Sequence, residues 1–248
     1  MFTSDNDELF CSKIEDMTSL CFTRQKPVFS QFLTESQQAL AQKVLQSIYF
    51  ENYVFFGGSE SSERKVLGVF YDEPERSAFP VSAIEFKYRP CDKLTHRDFL
   101  GTLMSLGIER DTVGDILVDN GTVVFVKSEL KDYIESQIFK VGGAGVKIVQ
   151  PNLNSLPQGR GTEEMSLTVS SLRYDNIVAA VSGLSRDKTA KLILSGETTL
   201  NFAVTQNVSC TVKEGDTFTI RGKGKFKLDK ILGVTKKGRH KISVIHFR

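Results

Sequence analysis

The sequence predicts an α+β chain of several domains, and three observations lead there. Apolar residues recur at helical spacing in some segments and alternate strictly in others. The stretch from Gln150 to Gly161 is rich in Pro, Gly and Asn, the composition of a linker. The charge changes sign across it: residues 1–159 hold 16 Lys+Arg against 22 Asp+Glu, and residues 160–248 hold 16 against 8. At 248 residues the chain has room for two or three compact units. The expected division is an N-terminal α/β domain over 1–75, a second domain over 76–150, a linker over 151–165 and a C-terminal domain over 166–248.

In the first domain, Leu33, Leu40, Val44, Leu45 and Ile48 recur at helical spacing, and residues 34–48 contain no Gly or Pro. Thr34 or Ser36 is the expected cap. Residues 52–56 and 65–70 read as strands, with Gly57-Gly58-Ser59 as a plain turn between them. In the second domain, Ala83 to Tyr88 alternates apolar and polar as a half-buried strand does. Thr95 to Leu106 follows as a helix, with Thr95 as N-cap, Asp98 in the first turn and Gly107 as its stop. Residues 115–118 and 122–126 read as a hairpin about Asn120-Gly121. A second helix is expected from Glu129 to Phe139 with Ser128 as cap, and a last strand over 146–149. The order β-α-β-β-α-β is the ferredoxin-like or RRM-like pattern. An RRM stacks bases on aromatics of its central strands, and here the hairpin strand offers only Phe125, which alternation can bury. Gly142-Gly143-Ala144-Gly145 reads as a helix-to-strand loop, with phosphate binding there the lesser alternative.

In the C-terminal domain, helices are expected from Arg173 to Val181, ended by Gly183, and from the cap Ser185 to Leu194, ended by Gly196, with Ala190, Ile193 and Leu194 facing inward. Strands are expected over 198–200, 217–220, 226–228 and 241–244. From Arg221 onward the chain holds 10 Lys+Arg and one acid, Asp229. Apolar residues such as Phe226, Leu228, Ile242 and Val244 are interleaved there, so a folded strand surface with a basic stripe is expected rather than a solvated tail. Such a surface attracts a polyanion, because each neutralised phosphate releases condensed counterions.

Other classes are disfavoured. No apolar run approaches the roughly 18–20 residues that span a bilayer. The acidic N-terminus does not read as a secretory signal. Cys11, Cys21, Cys91 and Cys210 are scattered with no CxxC pair, so reduced thiols are expected and neither a zinc site nor a disulfide framework. No cofactor, metal or small-molecule substrate is expected.

Ser171-Leu172-Arg173-Tyr174-Asp175, Leu184-Ser185-Arg186, Ala190, Ile193, Gly196, Leu200-Asn201 and Glu214-Gly215-Asp216 together resemble the S4 RNA-binding motif in residue type and order. Tyr174 stands where that motif usually has Leu, and Phe202 where Gly is common, which implies altered packing and a differently built turn. Phe99-Leu100-Gly101, Leu106-Gly107-Ile108, Arg110 and Gly114-Asp115-Ile116 are similar to the middle domain of bacterial YlmH-type S4 proteins. So is the tail, Arg221-Gly222-Lys223-Gly224-Lys225-Phe226 with Thr235-Lys236-Lys237-Gly238-Arg239. Gly57-Gly58 with Glu63-Arg64 fits the N-terminal domain of that family. The resemblance spans nearly the whole chain. It implies a three-domain, cytoplasmic, non-catalytic protein that binds rRNA and tRNA on the large ribosomal subunit. Its role would be rescue of stalled subunits that carry peptidyl-tRNA, with a link to cell division in some bacteria.

The candidate RNA contacts are Arg173, Ser185, Arg186, Lys188, Lys191, Asn201, Arg221, Lys223, Lys225, Lys236, Lys237 and Arg239. Lys188 and Lys191, three apart on one helix, can reach adjacent phosphates beside the amides of the helix start. Arg186 can bond phosphate in pairs or stack on splayed bases. Arg173 is open between an RNA contact and an ion pair with Asp175 or Asp216. Gly222 and Gly224 either admit RNA close to the backbone or form a tight turn. Readout of shape and phosphate is expected more than readout of bases. Two alternatives stand beside this one. An RNA-modifying enzyme would need a catalytic constellation, and the three histidines, His96, His240 and His246, suggest none. An adaptor would bind a protein through its acidic first two domains.

Overall fold

The computed structural model describes residues 5–119, 121–153, 156 and 162–247. The chain is mixed α+β and divides into two compact units, Met1–Gly159 and Arg160–Arg248. Asn120 of the expected Asn-Gly turn lies outside the described residues, as do 154–155 and 157–161 of the expected linker.

The first unit opens with helix α1 (Asp5–Arg24), strand β1 (Val28–Leu33), helix α2 (Glu35–Ser47), and strands β2 (Tyr53–Phe56) and β3 (Lys65–Val69). Neither α1 nor β1 was expected from the sequence. Helix α1 buries Cys11, Ile14, Thr18 and Cys21, so two thiols and a hydroxyl complete a stripe at helical spacing that apolar periodicity alone misses. Helix α2 begins as expected. Thr34 is its cap, and Gln37 reaches back to the Thr34 amide in a capping box. The strands pair in the order β1-β3-β2, all antiparallel.

Then come β4 (Val81–Lys87), α3 (His96–Ser105), β5 (Val113–Val118), β6 (Thr122–Lys127), α4 (Lys131–Gln137), the short pair β7 (Lys140–Val141) and β8 (Ala144–Gly145), and β9 (Lys147–Val149). Their four-stranded sheet has the order β5-β6-β4-β9, every neighbour antiparallel. Thr95 and Asp98 form a capping box at α3. Ser128 does not cap a helix. Residues Ser128–Leu130 form a 3₁₀ turn before α4, and the Ser128 hydroxyl bonds that of Ser82 at 2.8 Å.

Both sheets alternate, and their faces meet. Leu33, Leu67, Val69 and Tyr53 pack toward α1 and α2, while Ile84, Phe86, Val124 and Val126 pack toward α3 and α4. Between the sheets lies a shared layer of Phe32, Val66, Phe70, Phe79, Val123 and Phe125. The unit is therefore layered helix, sheet, sheet, helix, and all six residues of β6 are buried.

Polar contacts cross the same layer. The Asp115 carboxylate accepts the amides of Glu63 (2.6 Å) and Arg64 (3.1 Å). The Arg64 guanidinium donates to the carbonyls of Val113 (3.1 Å) and Phe32 (3.0 Å). Lys127 donates from Nζ to the Ser30 carbonyl at 2.9 Å. Gly114 leaves room for the ring of Phe32, and Gly58 for that of Phe125. Gly57-Gly58 is thus a packing turn.

The second unit contains β10 (Thr162–Val169), α5 (Tyr174–Ser182), α6 (Arg186–Leu194), β11 (Thr198–Leu200), β12 (Ala203–Val204), β13 (Thr217–Ile220), β14 (Gly224–Val234) and β15 (His240–Phe247). Strand β10 begins inside the segment expected to be linker and pairs along its whole length with β15. Strands β14 and β15 are much longer than the expected 226–228 and 241–244. The sheet order is β10-β15-β14-β13-β11-β12. Helices α5 and α6 lie on one face of it, over Phe218, Ile220, Phe226, Leu228, Ile242 and Val244. Tyr174 is fully buried and donates its hydroxyl to the Thr199 carbonyl at 3.0 Å. Burial pushes its phenol up to about 12. Leu194 points outward and is 56% exposed; Thr189 takes the inward position, four residues before Ile193 on the same helix face.

A methyl group at Gly58 would fall 2.1 Å from Phe125, at a φ of +101° that side chains rarely adopt. Gly58→Ala is expected to destabilise the first unit by about 2–4 kcal/mol in urea denaturation. Gly143→Ala, where an added methyl meets nothing within 4 Å, should stay within about 0.5 kcal/mol of the parent.

Candidate nucleic-acid interface

Twelve candidate RNA-binding residues fall in the second unit, and the fold distributes them over three places. The first is the junction of α5 and α6. Arg173 is the N-cap residue of α5, and Asp175 lies in that helix's first turn. The Arg173 guanidinium donates from Nε and Nη2 to the two oxygens of Asp175, at 3.1 Å each. Arg186, at the start of α6, donates from Nη2 to the same carboxylate at 3.3 Å. Asp175 also accepts its neighbour's amide, from Asn176 at 2.9 Å.

The Asp175 side chain is 8% exposed, against 43% for Arg173 and 63% for Arg186. A buried carboxylate thus holds two guanidiniums whose outer edges face water. Burial alone would raise the Asp175 pKa. The hydrogen bonds and charge of Arg173, then the bonds from Arg186 and the Asn176 amide, outweigh it and leave the carboxyl below its ordinary value. Each guanidinium has five N–H donors, so both keep donors for a phosphate. The ion pair open for Arg173 in the sequence is made with Asp175.

Helix α6 presents Arg186, Lys188 and Lys191 to solvent, and Thr189 and Ile193 to the core. Ser185 occupies the N-cap position, but its hydroxyl makes no capping bond. Asp187 shares the exposed side and offsets one cation.

The second place is the β13–β14 turn, with Arg221 and Lys223 exposed and Lys225 just inside β14. Gly222 (φ +75°) and Gly224 (φ +108°) build that turn, and a methyl at Gly224 would meet His246 at 3.0 Å. The tight-turn role of these glycines is therefore present in the fold. Arg221 donates its amide to the Glu197 carbonyl just beyond α6, so it lies at the opposite end of that helix from Arg186, roughly 15 Å away at about 1.5 Å per residue. Asn201 sits at the opposite end of β13 from this turn, beside Thr217. Its Nδ2 donates to Asp216 (2.9 Å) and its Oδ1 accepts the Thr217 amide (3.0 Å), so its amide group serves the fold.

The third place is the β14–β15 turn, which exposes Lys236, Lys237 and Arg239. It lies at the far end of β14 from Lys225, roughly 30 Å along the strand at about 3.3 Å per residue. The candidate residues of the tail therefore lie at two ends of one long strand, with Lys227 and Lys230 along it between them.

In the first unit the β4–β9 edge carries cations that sequence reasoning missed. Lys87 and Lys147 stand opposite each other, and exposed Lys140 adjoins Phe139, which is 69% exposed. Their signal in the sequence was only scattered lysines. Among the described residues no helix is long and apolar enough to cross a membrane, and no group of three His, Cys, Asp or Glu side chains could hold a metal ion.

Residues 74–155 match the family described as "Putative RNA-binding domain in YlmH". A Bacillus subtilis (strain 168) protein named "Ribosome-associated protein quality control protein P2" is 35% identical over 196 residues, covering 76% of this chain and 76% of that protein. The chain belongs to the YlmH family of RNA-binding proteins. A solved structure named "Cell division protein ylmH from Streptococcus pneumoniae" shares the fold at a TM-score of 0.53 and 24% identity, over 62% of this chain and 96% of that one. The names of these YlmH relatives describe RNA, ribosome and division roles, and none names a catalytic activity.

In this YlmH-family chain Asp175 separates two accounts of RNA attraction. If bulk charge alone governed binding, Asp175→Asn would tighten it by removing an acid. If Asp175 positions Arg173 and Arg186, the variant weakens binding and destabilises the second unit by about 1–3 kcal/mol. The second outcome is expected, from RNA titration and denaturation of the two proteins. The Asp175 carboxyl is depressed in the fold, so its stabilisation is complete above the unfolded value of about 3.9 and is lost as pH falls through the folded value. Asp175→Asn should flatten that part of the acid-unfolding curve.

Proposed function

We propose that this chain is a non-catalytic, cytoplasmic protein that docks on structured RNA through its second unit, acting as an S4 domain. Its RNA would be rRNA and tRNA on the large ribosomal subunit, in rescue of stalled ribosomes. One observation carries the reading: buried Asp175 holds Arg173, at the start of α5, together with Arg186, at the start of α6, next to the exposed Lys188 and Lys191. Guanidiniums held in a fixed plane lose less freedom on binding phosphate than mobile ones. The name of the Bacillus subtilis relative supports the ribosomal setting.

The central part of the first unit is, in this reading, RRM-like. The strand order β5-β6-β4-β9 supports it, since the first strand of the repeat lies between the third and the fourth. The sheet face on which an RRM stacks bases is here packed against the β1-β3-β2 sheet, with Phe125 1% exposed. RNA contact by this part would use the rim of Lys87, Lys140 and Lys147 instead.

An adaptor role for the first unit is compatible. Leu9, Phe22 and Tyr49 are more than half exposed on a part of the chain with net acidic charge.

The test is co-sedimentation with purified large ribosomal subunits over a salt series. Parent binding should weaken with salt. The double variant Arg186→Ala, Lys188→Ala should bind weakly, with its salt slope reduced by about two, one for each phosphate that is no longer neutralised. Undiminished binding by the double variant would move the dock to the β-turn cations or the first unit.

A further inference from the structure

The six-stranded sheet of the second unit has one face under α5 and α6 and another that these helices leave uncovered. Cross-strand partners share a face, so the register shows what the uncovered face carries. One row runs Phe247, Lys225, Thr219, Thr199, and the next runs Ile245, Lys227, Thr217. All seven are partly exposed. Aromatic, lysine and threonine side chains on an open sheet are the chemistry that binds single-stranded nucleic acid: a π-face for a base, a cation for its phosphate and hydroxyls for the sugar.

Phe202 joins them from the β11–β12 turn. Residues Asn201 (φ +48°) and Phe202 (φ +65°) both have left-handed backbone, as the two central residues of a tight hairpin turn require. Glycine would take the Phe202 conformation without strain, and a bulky aromatic there is an outlier. Asn201 locks the turn through Asp216 and Thr217. The Phe202 ring is placed so that Lys225 Nζ lies 5.7 Å from its centroid, and the same ammonium lies 4.9 Å from the centroid of Phe247. One cation therefore sits between two partly exposed rings.

We infer that Phe202, Lys225 and Phe247 form a stacking site for an unpaired nucleotide, separate from the arginines at the start of α6. Phe202 and Phe247 offer the rings, and Lys225 with Arg221 and Lys223 meets the flanking phosphates. This rests on the proposed binding of structured RNA by the second unit, and it adds a single-stranded segment that leaves the duplex.

The experiment uses the full chain and two RNA hairpins, one blunt and one with a short unpaired extension containing 2-aminopurine. Binding is followed by anisotropy, and stacking by quenching of the 2-aminopurine. The parent protein is expected to prefer the extended hairpin by about 10-fold, in the range that base–aromatic stacking provides, and to quench the fluorophore. Phe202→Gly should lose both the preference and the quenching while its melting temperature does not fall, because glycine fits the turn. Phe247→Leu, which keeps an apolar side chain in the strand, should lose them as well. Equal parent affinity for the two hairpins, or preference and quenching retained in both variants, would overturn the stacking site. An Arg186→Ala, Lys188→Ala protein that binds the blunt hairpin as the parent does would instead refute the α6 dock and leave the stacking result standing. A parent protein that binds neither hairpin would overturn both.

Discussion

The packing of one sheet against another decides what each part of this chain can do. The β5-β6-β4-β9 sheet has helices on one face and the β1-β3-β2 sheet on the other, so β6 is buried throughout. A sheet covered twice cannot stack bases on its central strands, whatever its topology resembles. The motif residues Gly58, Arg64, Gly114 and Asp115 all serve this junction. The glycines receive aromatic rings from the opposite sheet, and the arginine and aspartate satisfy backbone groups that the junction removes from water. In the proposed reading, RNA contact falls to the rim of this unit and to the second unit.

The second unit has the opposite arrangement, since its helices cover one sheet face and leave the other lined with Lys225, Lys227, Thr217 and Thr219. Its candidate RNA-binding cations sit at the start of α6 and at the two ends of β14, which span roughly 30 Å at about 3.3 Å per residue, and Lys227 and Lys230 lie along the strand between those ends. A span of that length matches an extended polyanion better than a small anion, because a nucleic-acid duplex presents phosphates continuously along its axis.

Two buried carboxylates show how local partners set charge. Asp115 is raised, because burial outweighs the two amides and the neighbouring Arg64. Asp175 is lowered, because two guanidiniums bond it directly and outweigh its burial. Ionised Asp115 costs the first unit stability that is recovered as pH falls, whereas Asp175 contributes stability that acid removes. The first carboxylate organises backbone and the second organises cations, as their positions between sheets and at a helix start require.

Local rules were enough for much of this. The caps Thr34 and Thr95, the stops Gly183 and Gly196, and the alternation of β4 were legible because caps, glycine stops and strand alternation act within a few residues. So was the charge asymmetry, which is a property of composition. Helix α1 was missed because Cys11, Thr18 and Cys21 stand in its buried stripe, and β10 because an edge strand of alternating polar residues next to a linker resembles the linker. What only the tertiary structure decided was proximity. Arg173 and Arg186 meet on Asp175, Lys225 and Lys236 separate to opposite ends of β14, and Phe202 and Phe247 flank the Lys225 ammonium. Sheet order and register are set by long-range burial of apolar faces, and no spacing along the chain encodes which distant strand becomes the neighbour.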